Sequence, residues 1–313
     1  MEQSKIDYSI IIPVYNSEKT LEELINRIEC LFNEMSLTFE VILIDDCSDD
    51  KSWDLLKKIH SSNSRIKIIR LIRNFGQHNA LLAGFNICTG KFIITLDDDL
   101  QHPPEEIPKL ISKINEGYFV VYGKYPPNNS NFIEDFLSSF YQNLIHRILA
   151  IPKNLFISSF VIYRRETVQN IISIKSTYPF LPAMTFRSAP TNKISNTDVI
   201  HHRRMIGTSN YGLIKYFKYS LNLIVNFSSL PLIFVASFGF LLSIISICFG
   251  FWIIIQRLID PTYGVMGWNS LMVAICFLGG AILMSMGIIG EYLRRILAET
   301  SYGQQYVIGE MEL

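Results

Sequence analysis

Short apolar runs alternate with segments of helical spacing through the first 122 residues, and this alternation constrains the fold more than any other feature. The strand-like runs cover residues 8–14, 39–44, 66–71, 92–96 and 119–122. The helical segments cover residues 20–35, 52–60, 77–87 and 105–116. Regular alternation of this kind predicts an α/β fold with a mostly parallel sheet and helices on both faces.

Ligands of such folds bind at the carboxyl ends of the strands, so the loops that follow the strands are the first candidates for a site. Three of these loops carry polar or acidic residues, and we expect them to lie together: residues 15–18, 45–48 and 97–99. No G-x-G-x-x-G follows a strand and no G-x-x-x-x-G-K-[ST] occurs. The sequence therefore supports neither a dinucleotide oxidoreductase nor a P-loop enzyme.

Three consecutive aspartates, Asp97, Asp98 and Asp99, directly follow an apolar strand. Their mutual repulsion would be relieved by a hard divalent cation such as Mg²⁺ or Mn²⁺, which prefers carboxylate oxygen. In an extended segment alternate residues point the same way, so Asp97 and Asp99 could share one ion while Asp98 points elsewhere. A solvated acidic turn is the alternative. Asp45 and Asp46 end another strand and fit either a turn or hydrogen bonds to a nucleoside.

Two long stretches near the carboxyl end, residues 230–255 and 268–290, contain no charged residue. As helices they would be roughly 39 and 35 Å long, enough to cross a hydrocarbon core of about 30 Å. Lys215 and Lys218 precede the first stretch, and Arg294 and Arg295 follow the second. This distribution predicts two membrane spans with both termini in the cytoplasm. Two buried helices of a large soluble core are the alternative.

The overall charge and the cysteines exclude other classes. Lys plus Arg and Asp plus Glu both number 28, so the zero net charge does not favour a nucleic-acid partner. The five cysteines are odd in number and lack C-x-x-C spacing, which favours a reducing compartment. The polar first residues lead directly into a strand, so we expect no signal peptide and a cytosolic first domain.

Four motifs together resemble glycosyltransferase family 2, whose members have the GT-A fold, and within it the polyprenyl-phosphate branch. They are I-P-V-Y-N at residues 12–16, D-D-C-S at 45–48, R-N-F-G at 73–76 and D-D-D-L-Q-H-P-P at 97–104. The resemblance extends over nearly the whole chain. It includes H-R-R at 202–204, G-T-S-N-Y at 207–211, the two apolar stretches and G-E-Y-L-R-R at 290–295.

The resemblance implies a role for each matching residue. The nucleotide-sugar pocket would be lined by Pro13, Tyr15, Glu18, Asp45, Asp46 and Asp98. Mg²⁺ or Mn²⁺ on the donor diphosphate would be held by Asp97, Asp99 and Gln101. The acceptor phosphate would be bound by Arg204 and Ser209, and the catalytic residues would be Asp97, Asp99 and Arg204. A basic patch that attracts anionic lipid is the alternative for residues 201–204.

The resemblance further implies inverting, metal-dependent sugar transfer from a nucleotide sugar, expected to be a UDP-sugar, to an undecaprenyl-phosphate-like lipid. The reaction would take place at the cytoplasmic face of the inner membrane and serve the cell envelope, and homo-oligomers are possible. The predicted parts are a GT-A domain at 1–205, a juxtamembrane segment at 206–228, spans at about 230–256 and 267–292, and a cytoplasmic tail at 294–313. A family 2 enzyme with another lipid or glycan acceptor, or a non-catalytic membrane scaffold, are the alternatives.

The chain departs from the family pattern at several positions. Val161 stands where many relatives have an arginine, so one expected contact to the acceptor phosphate is missing, and Arg164 or Arg165 could replace it. Cys47 stands where the family usually has glycine, and Asp98 stands where a small residue is common.

Overall fold

The computed structural model describes residues 6–125, 146–147, 151–152, 154–176, 179–200, 202, 230–259, 267–300 and 305–313. The chain divides into two compact units. The first comprises Met1–Tyr216 together with Gly303–Leu313, and the second comprises Phe217–Tyr302. The last residues of the chain thus belong to the same unit as the first.

The described part of the first unit alternates strands and helices. The strands are β1 Tyr8–Val14, β2 Phe39–Asp45, β3 Ile66–Leu71, β4 Phe92–Thr95, β5 Val120–Lys124, β6 Val161–Arg164, β7 Ile194–Asp198 and β8 Ile308–Glu312. The α-helices are α1 Leu21–Glu34, α2 Ser52–Ser62, α3 Gln77–Ile87, α4 Ile107–Asn115, α5 Arg165–Ser173 and α6 Leu181–Ser188. Short 3₁₀ turns cover Pro104–Glu106 and Thr191–Lys193.

The described strands form one mixed sheet in the order β7-β5-β6-β4-β1-β2-β3-β8. Parallel pairs join β1 to β2, β1 to β4, β2 to β3 and β5 to β7. Antiparallel pairs join β4 to β6, β5 to β6 and β3 to β8. The centre of the sheet is therefore parallel, as the strand–helix alternation predicts, whereas the later strands β6 and β8 run the other way.

The central strands are buried on both faces, which explains their continuous apolar sequence. Ile10 and Ile12 of β1 face a core shared with α1, α2 and α4. Ile11, which points to the opposite face, lies under α3 at Gly84. Helices thus cover both faces of the sheet, as predicted, and the loops between these layers are left at the sheet edge where the strands end.

The sequence analysis located β1 to β5 and the helices between them to within a few residues, but it did not identify β6, β7 or β8. The sequence predicts residues 294–313 to be a tail after the last span. In the structure the last helix continues to Thr300, and Ile308–Glu312 returns to the sheet as β8. This strand is short and exposed throughout, so no buried apolar pattern marks it in the sequence.

The second unit contains helices α7 Leu230–Ile259 and α8 Trp268–Thr300, which begin with the two charge-free stretches and extend beyond them into charged residues. The two helices contact each other and expose large apolar side chains, among them Phe240, Leu258 and Leu283. Over the part of the chain that the structure describes, no helix combines the length and hydropathy needed to cross a membrane. The two membrane spans therefore stay predictions.

We expect Gly84→Ala to destabilise the protein, although alanine is normally the better helix former. A Cβ at this position of α3 would lie 2.5 Å from Ile11 Cγ2 and 2.9 Å from Ile44 Cδ1, so helix and sheet would have to separate. The overpacking should cost about 1–3 kcal/mol of unfolding free energy. Thermal unfolding of the detergent-solubilised full chain measures it, with the exposed Lys58→Ala on α2 as control. An unchanged or raised midpoint in Gly84→Ala would contradict this packing.

Candidate active site

The parallel register brings the three predicted loops to the same edge of the sheet. Val14 at the end of β1 pairs with Asp45 at the end of β2, and Ile11 pairs with Thr95 at the end of β4. Backbone hydrogen bonds continue this contact beyond the ladder, since Asp46 N–H donates to the Val14 carbonyl at 2.9 Å. The loops that follow β1, β2 and β4 therefore meet, as the sequence predicts for strands of a doubly covered sheet.

Asp98 joins the loop after β4 to the loop after β1. Its Oδ2 accepts hydrogen bonds from the Tyr15 N–H at 3.1 Å and from Ser17 Oγ at 2.5 Å. Thr20 Oγ1 donates to the Asp98 carbonyl oxygen at 2.6 Å. Burial raises the pKa of Asp98 to about 7, against the opposing effect of the Ser17 and Tyr15 hydrogen bonds. Through these hydrogen bonds Asp98 holds the loop after β1 against the loop after β4.

Asp97 is oriented by donors from two distant segments. Gln77 Nε2, at the start of α3, donates to Asp97 Oδ1 at 2.7 Å, and Ser159 Oγ donates to Oδ2. The Gln101 N–H donates to Asp99 Oδ1 at 3.1 Å within the same loop. Asp97 is thereby set in orientation by its neighbours, and Asp99 by the turn that it belongs to.

The aspartate segment is a turn and not a continued strand, because β4 ends at Thr95 and residues 98–99 turn. Leu100 has a φ of 59°, in the left-handed region, and is buried. The prediction grouped Asp97 with Asp99 on the assumption that residues 97–99 are extended, and this assumption is wrong. What separates Asp98 from its neighbours is its own set of hydrogen bonds to the loop after β1.

The predicted metal ligands are chemically suited to a hard cation, since Asp97 and Asp99 supply carboxylates and Gln101 supplies an amide oxygen. Among the described residues, no cluster of three or more His, Cys, Asp and Glu side chains could hold a metal ion. Two carboxylates match the usual Mg²⁺ arrangement, in which substrate phosphates complete the coordination. The residues present therefore fit an ion that arrives with a nucleoside diphosphate.

His102 lies beside this cluster as a neutral ring. Its Nδ1 is 3.9 Å from Asp97 Oδ2, and its ring stacks on Phe160 with centroids 5.4 Å apart. Burial lowers the pKa of His102 to about 4, so the ring carries no charge near neutral pH. The contact with Asp97 is therefore not an ion pair under those conditions.

The two aspartates after β2 have different partners. Asp46 accepts hydrogen bonds from the Phe75 N–H at 2.7 Å and the Gly76 N–H at 2.8 Å, which ties the R-N-F-G loop to β2. Asp45 is completely buried, accepts from the Ser48 N–H at 3.2 Å and pairs with Arg70 Nε at 3.2 Å. Burial raises the pKa of both carboxyl groups. Both side chains hold loops in place, and direct contact with a nucleotide stays a prediction.

The remaining predicted donor residues, Pro13, Tyr15 and Glu18, lie at the end of β1 and in the loop after it. Tyr15 is 47% exposed, Pro13 is half-buried in β1, and Glu18 Oε2 accepts from the Lys51 N–H at 3.3 Å at the start of α2. Tyr15 thus presents an open aromatic face at the carboxyl end of β1, where a planar base could stack.

Arg204 and Ser209, the predicted acceptor ligands, lie outside the described residues. His202, the first residue of the H-R-R motif, is described, and it donates its N–H to the Gln101 carbonyl at 2.8 Å. Nearby, the Ile200 N–H donates to Glu106 Oε2 at 2.9 Å. The segment that leads into the predicted acceptor motif therefore runs beside the predicted metal motif.

Arg164 and Arg165 do not replace the arginine missing at Val161. Val161 is buried and pairs with Thr95, whereas Arg164 pairs with Phe92 at the opposite end of β4 from the aspartates. Arg164 Nε donates to the Tyr118 carbonyl, and Arg165 donates to the Gly90 carbonyl. Both guanidinium groups are engaged at that far end, so this alternative is wrong.

Several residues that shape the site were not identified from the sequence: Ser17, Thr20, Arg70, Gln77 and Ser159. Gln77 directly follows the R-N-F-G motif, and Ser159 lies in the stretch singled out for its departure at Val161. Both residues could have been singled out, because each lies next to a stretch that the sequence analysis had already identified. No such signal marks Arg70, because residues 66–71 are recognised only as a strand-like run and belong to no motif.

The comparisons with known proteins agree with these motifs. The sequence profile of Glycosyl transferase family 2 matches residues 9–172. An uncharacterized glycosyltransferase of Synechocystis is 33% identical over 311 residues, which cover 98% of this chain and 96% of that protein. Undecaprenyl-phosphate 4-deoxy-4-formamido-L-arabinose transferases of Shewanella sediminis and Klebsiella pneumoniae are 33% and 30% identical, over 97% and 96% of this chain and 94% and 92% of theirs.

Solved structures share the fold at lower identity. Glucosyl-3-phosphoglycerate synthase from Mycobacterium tuberculosis, crystallised with Mn²⁺, UDP and glucosyl-3-phosphoglycerate, has a TM-score of 0.53 and 19% identity over 70% of this chain and 78% of that one. Mannosyl-3-phosphoglycerate synthase from Rubrobacter xylanophilus has a TM-score of 0.50 and 16% identity over 70% and 72% of the two chains. These likenesses establish the GT-A fold.

We expect acid to destabilise the protein through His78, which follows Gln77 in α3. Burial lowers the pKa of His78 from 6.5 to about 4, and the ring contacts Phe180 edge-on. The unfolded chain therefore binds a proton between pH 6.5 and pH 4 that the folded chain does not bind, so stability falls as pH falls through this window. From pH 7 to pH 5 the group should remove about 2 kcal/mol of unfolding free energy.

Thermal unfolding across this pH range tests the effect by comparing the unchanged protein with His78→Phe. The variant should lose stability less steeply below pH 6.5, and the slope that remains includes His102, whose pKa is lowered in the same direction. Identical slopes for the two proteins would show that His78 does not titrate as described.

Proposed function

The chain belongs to glycosyltransferase family 2, and from this premise we propose that it transfers a sugar from a nucleotide-sugar donor to a polyprenyl phosphate at a membrane surface. That it is a glycosyltransferase rests on the family match and on its relatives. The observation that carries the acceptor is the alignment of nearly the whole chain with undecaprenyl-phosphate sugar transferases. A likeness confined to the catalytic domain would leave the acceptor open, because fold alone does not define substrate.

The acidic site supports a donor that brings its own phosphates. Asp97, Asp99 and Gln101 would hold Mg²⁺ or Mn²⁺, and a bound ion would act as a Lewis acid that neutralises charge on the departing diphosphate. Asp97 is held in place by Gln77 and Ser159 before any ligand binds. Such preorganisation lowers the reorganisation needed when charge develops on the leaving group.

The donor is proposed to be a UDP-sugar. The M. tuberculosis structure with the same fold contains UDP and Mn²⁺, which is a property of that protein and only a guide for this one. Here Tyr15 is exposed at the end of β1, and Asp45 and Asp46 hold the neighbouring loops after β2 and β3 in place. The base would then stack at Tyr15, with the diphosphate directed towards Asp97 and Asp99.

The acceptor needs positioning more than activation. A phosphate monoester has its second pKa near ~6, so it is already largely dianionic at pH 7 and requires no strong general base. Its oxygen would attack the anomeric carbon as the bond to the diphosphate breaks, with inversion and release of the nucleoside diphosphate. Arg204 and Ser209 would bind the phosphate, since arginine pairs with phosphate through two parallel hydrogen bonds.

A position at the cytoplasmic face of the inner membrane, with two spans and both termini in the cytoplasm, is also part of the proposal. It is supported by the basic residues that flank the two charge-free stretches and by the exposed apolar side chains of α7 and α8. It is further supported by the pairing of β8 with β3, because that pairing requires the carboxyl terminus to be in the same compartment as the sheet. Two crossings satisfy this requirement and one does not.

We predict that Asp99→Ala lowers sugar transfer by at least about 100-fold, because it removes a ligand for the charge on the leaving group. The side chain is not part of the core, so the unfolding midpoint should stay close to that of the unchanged protein. The assay incubates solubilised protein with radiolabelled nucleotide sugars and undecaprenyl phosphate, with Mn²⁺ or with chelator, and counts label in the organic phase. Asp54→Ala, an exposed aspartate on α2, is the matched control.

The same assay separates the possible outcomes. Label in the organic phase that depends on Mn²⁺ supports the proposal, whereas label in a water-soluble polymer would indicate a glycan acceptor. No turnover with any donor would indicate a scaffold. Near-normal transfer by Asp99→Ala, or full activity in chelator, would contradict the metal assignment.

We predict that Arg204→Ala raises KM for the polyprenyl phosphate by roughly 10- to 100-fold, the usual effect of losing a charge-assisted hydrogen bond. KM for the nucleotide sugar should change little, because the donor would be held by other residues. Steady-state kinetics with each substrate varied in turn measures both values. A similar rise in both KM values would contradict the assignment of Arg204 to the acceptor site.

A further inference from the structure

Three charged residues lie in one row across the edge of the sheet. Asp45 at the end of β2 pairs in register with Arg70 of β3, and Arg70 pairs in register with Glu310 of β8. Directly opposite residues on neighbouring strands are close enough for their side chains to interact. The row therefore connects β8 to the loop that follows β2.

Arg70 stabilises the buried end of this row. Arg70 Nε lies 3.2 Å from Asp45 Oδ2, and Arg70 NH2 approaches the Ser48 carbonyl at 3.5 Å. A fully buried carboxylate is costly unless it is paired. Ser48 in turn accepts a hydrogen bond from the Asn16 N–H at 3.0 Å, in the loop after β1. The position of Arg70 thus affects two of the three loops that form the site.

Arg70 has other contacts on its solvent side. Its guanidinium lies 5.6 Å from the centre of the Trp53 ring, and its NH1 is 3.9 Å from Glu310 Oε1. Lys57 also contacts this group, at 3.0 Å from Glu310 Oε2 and 5.2 Å from the Trp53 ring. The side chain of Arg70 is 31% exposed, so without Glu310 it could turn towards water and away from Asp45.

The segment that carries Glu310 forms hydrogen bonds with the rest of the first unit at several of its residues. Gln305 Nε2 donates to the Ser176 carbonyl at 3.0 Å, and the Tyr306 hydroxyl accepts from Asn86 Nδ2 at 2.8 Å. The Ile72 N–H donates to the Val307 carbonyl at 3.1 Å, directly before the β3–β8 ladder begins. All residues of β8 are exposed, so backbone pairing and charge contacts hold this strand, and burial contributes little.

We propose that Arg70 is a positioning residue for the nucleotide-sugar donor and that the carboxyl-terminal strand, through Glu310, keeps Arg70 on Asp45. The proposal rests on the proposed function, because it assigns these residues to the donor pocket of that reaction. The two carboxylates share one guanidinium, which orients it along the row, and the row keeps the Asp45–Ser48 loop in the shape that receives the nucleotide. The carboxyl-terminal strand is then part of the donor site although it does not touch the donor.

Nucleotide binding by the full chain in detergent tests this, with UDP, GDP and CDP as probes in the presence of Mn²⁺. Glu310→Gln keeps the strand and removes the charge, and it should weaken binding roughly two- to fivefold, as expected for an exposed ion pair. The loss should shrink at high salt. Glu312→Gln is the matched control, since Glu312 lies on the same face of β8 but contacts His60 instead. It should leave the affinity unchanged.

A double-mutant cycle separates positioning from general support of the sheet edge. Arg70→Gln should weaken nucleotide binding at least about tenfold, because it leaves Asp45 buried without a cation. In that background Glu310→Gln should have no further effect. If Arg70→Gln does not fold, Arg70→Lys takes its place in the cycle. In steady-state assays Glu310→Gln should raise KM for the donor, with kcat and KM for the lipid unchanged.

The outcomes are distinct for the two proposals. If the unchanged protein binds no nucleoside diphosphate, both the proposed function and this inference are overturned. If it binds and Glu310→Gln binds equally well, the inference alone fails. Equal effects of Glu310→Gln and Glu312→Gln, or additive effects of Glu310→Gln and Arg70→Gln, would show that β8 only stabilises the sheet edge.

Discussion

Carboxylates placed at the ends of buried strands hold the loops of this protein together. A carboxylate removed from water is stable only when hydrogen bonds or a cation replace its hydration, so each one recruits donors from a neighbouring segment. Asp98 recruits the loop after β1, Asp46 recruits the R-N-F-G loop, and Asp45 recruits Ser48 and Arg70. At the opposite end of the sheet Glu40 does the same with Ser9, Thr89 and Lys67. The hydrogen bonds that make these carboxyl groups stable away from water also join the loops of the site to one another.

The sequence predicted the part of the fold that depends on local pattern. Strands β1 to β5 are apolar runs and the helices between them have amphipathic spacing, so both could be read from neighbouring residues. Strands β6 and β8 pair antiparallel with strands far away in the sequence, which no neighbouring residues reveal. Ile308–Glu312 contains two acidic residues and a glycine, which local pattern does not favour as strand. Its pairing with the distant strand β3 is what makes it a strand.

The candidate site, like the fold, was predicted only where local sequence motifs mark it. The motifs identified the loops and their acidic residues, but not the side chains that orient them, because Gln77 and Ser159 reach Asp97 from other parts of the chain. The turn at residues 98–99, with Leu100 in the left-handed region, replaced the extended segment assumed from the strand before it. The backbone contact between His202 and Gln101 also has no local signal. It brings the first residue of the H-R-R motif to the loop that carries Asp97 and Asp99.

The position of β8 after both long apolar helices has a consequence for how the sheet is completed during synthesis. A ribosome delivers the chain from its amino terminus, so β1 to β7 and both long apolar helices emerge before the strand that covers β3. Until then the backbone N–H and C=O groups along Ile66–Leu71 form an open edge, which invites pairing with other chains. A polypeptide that lacks β8 would expose the β3 edge, whereas in the complete sheet β8 is the edge strand and carries Glu310 and Glu312, charges that disfavour pairing with other chains.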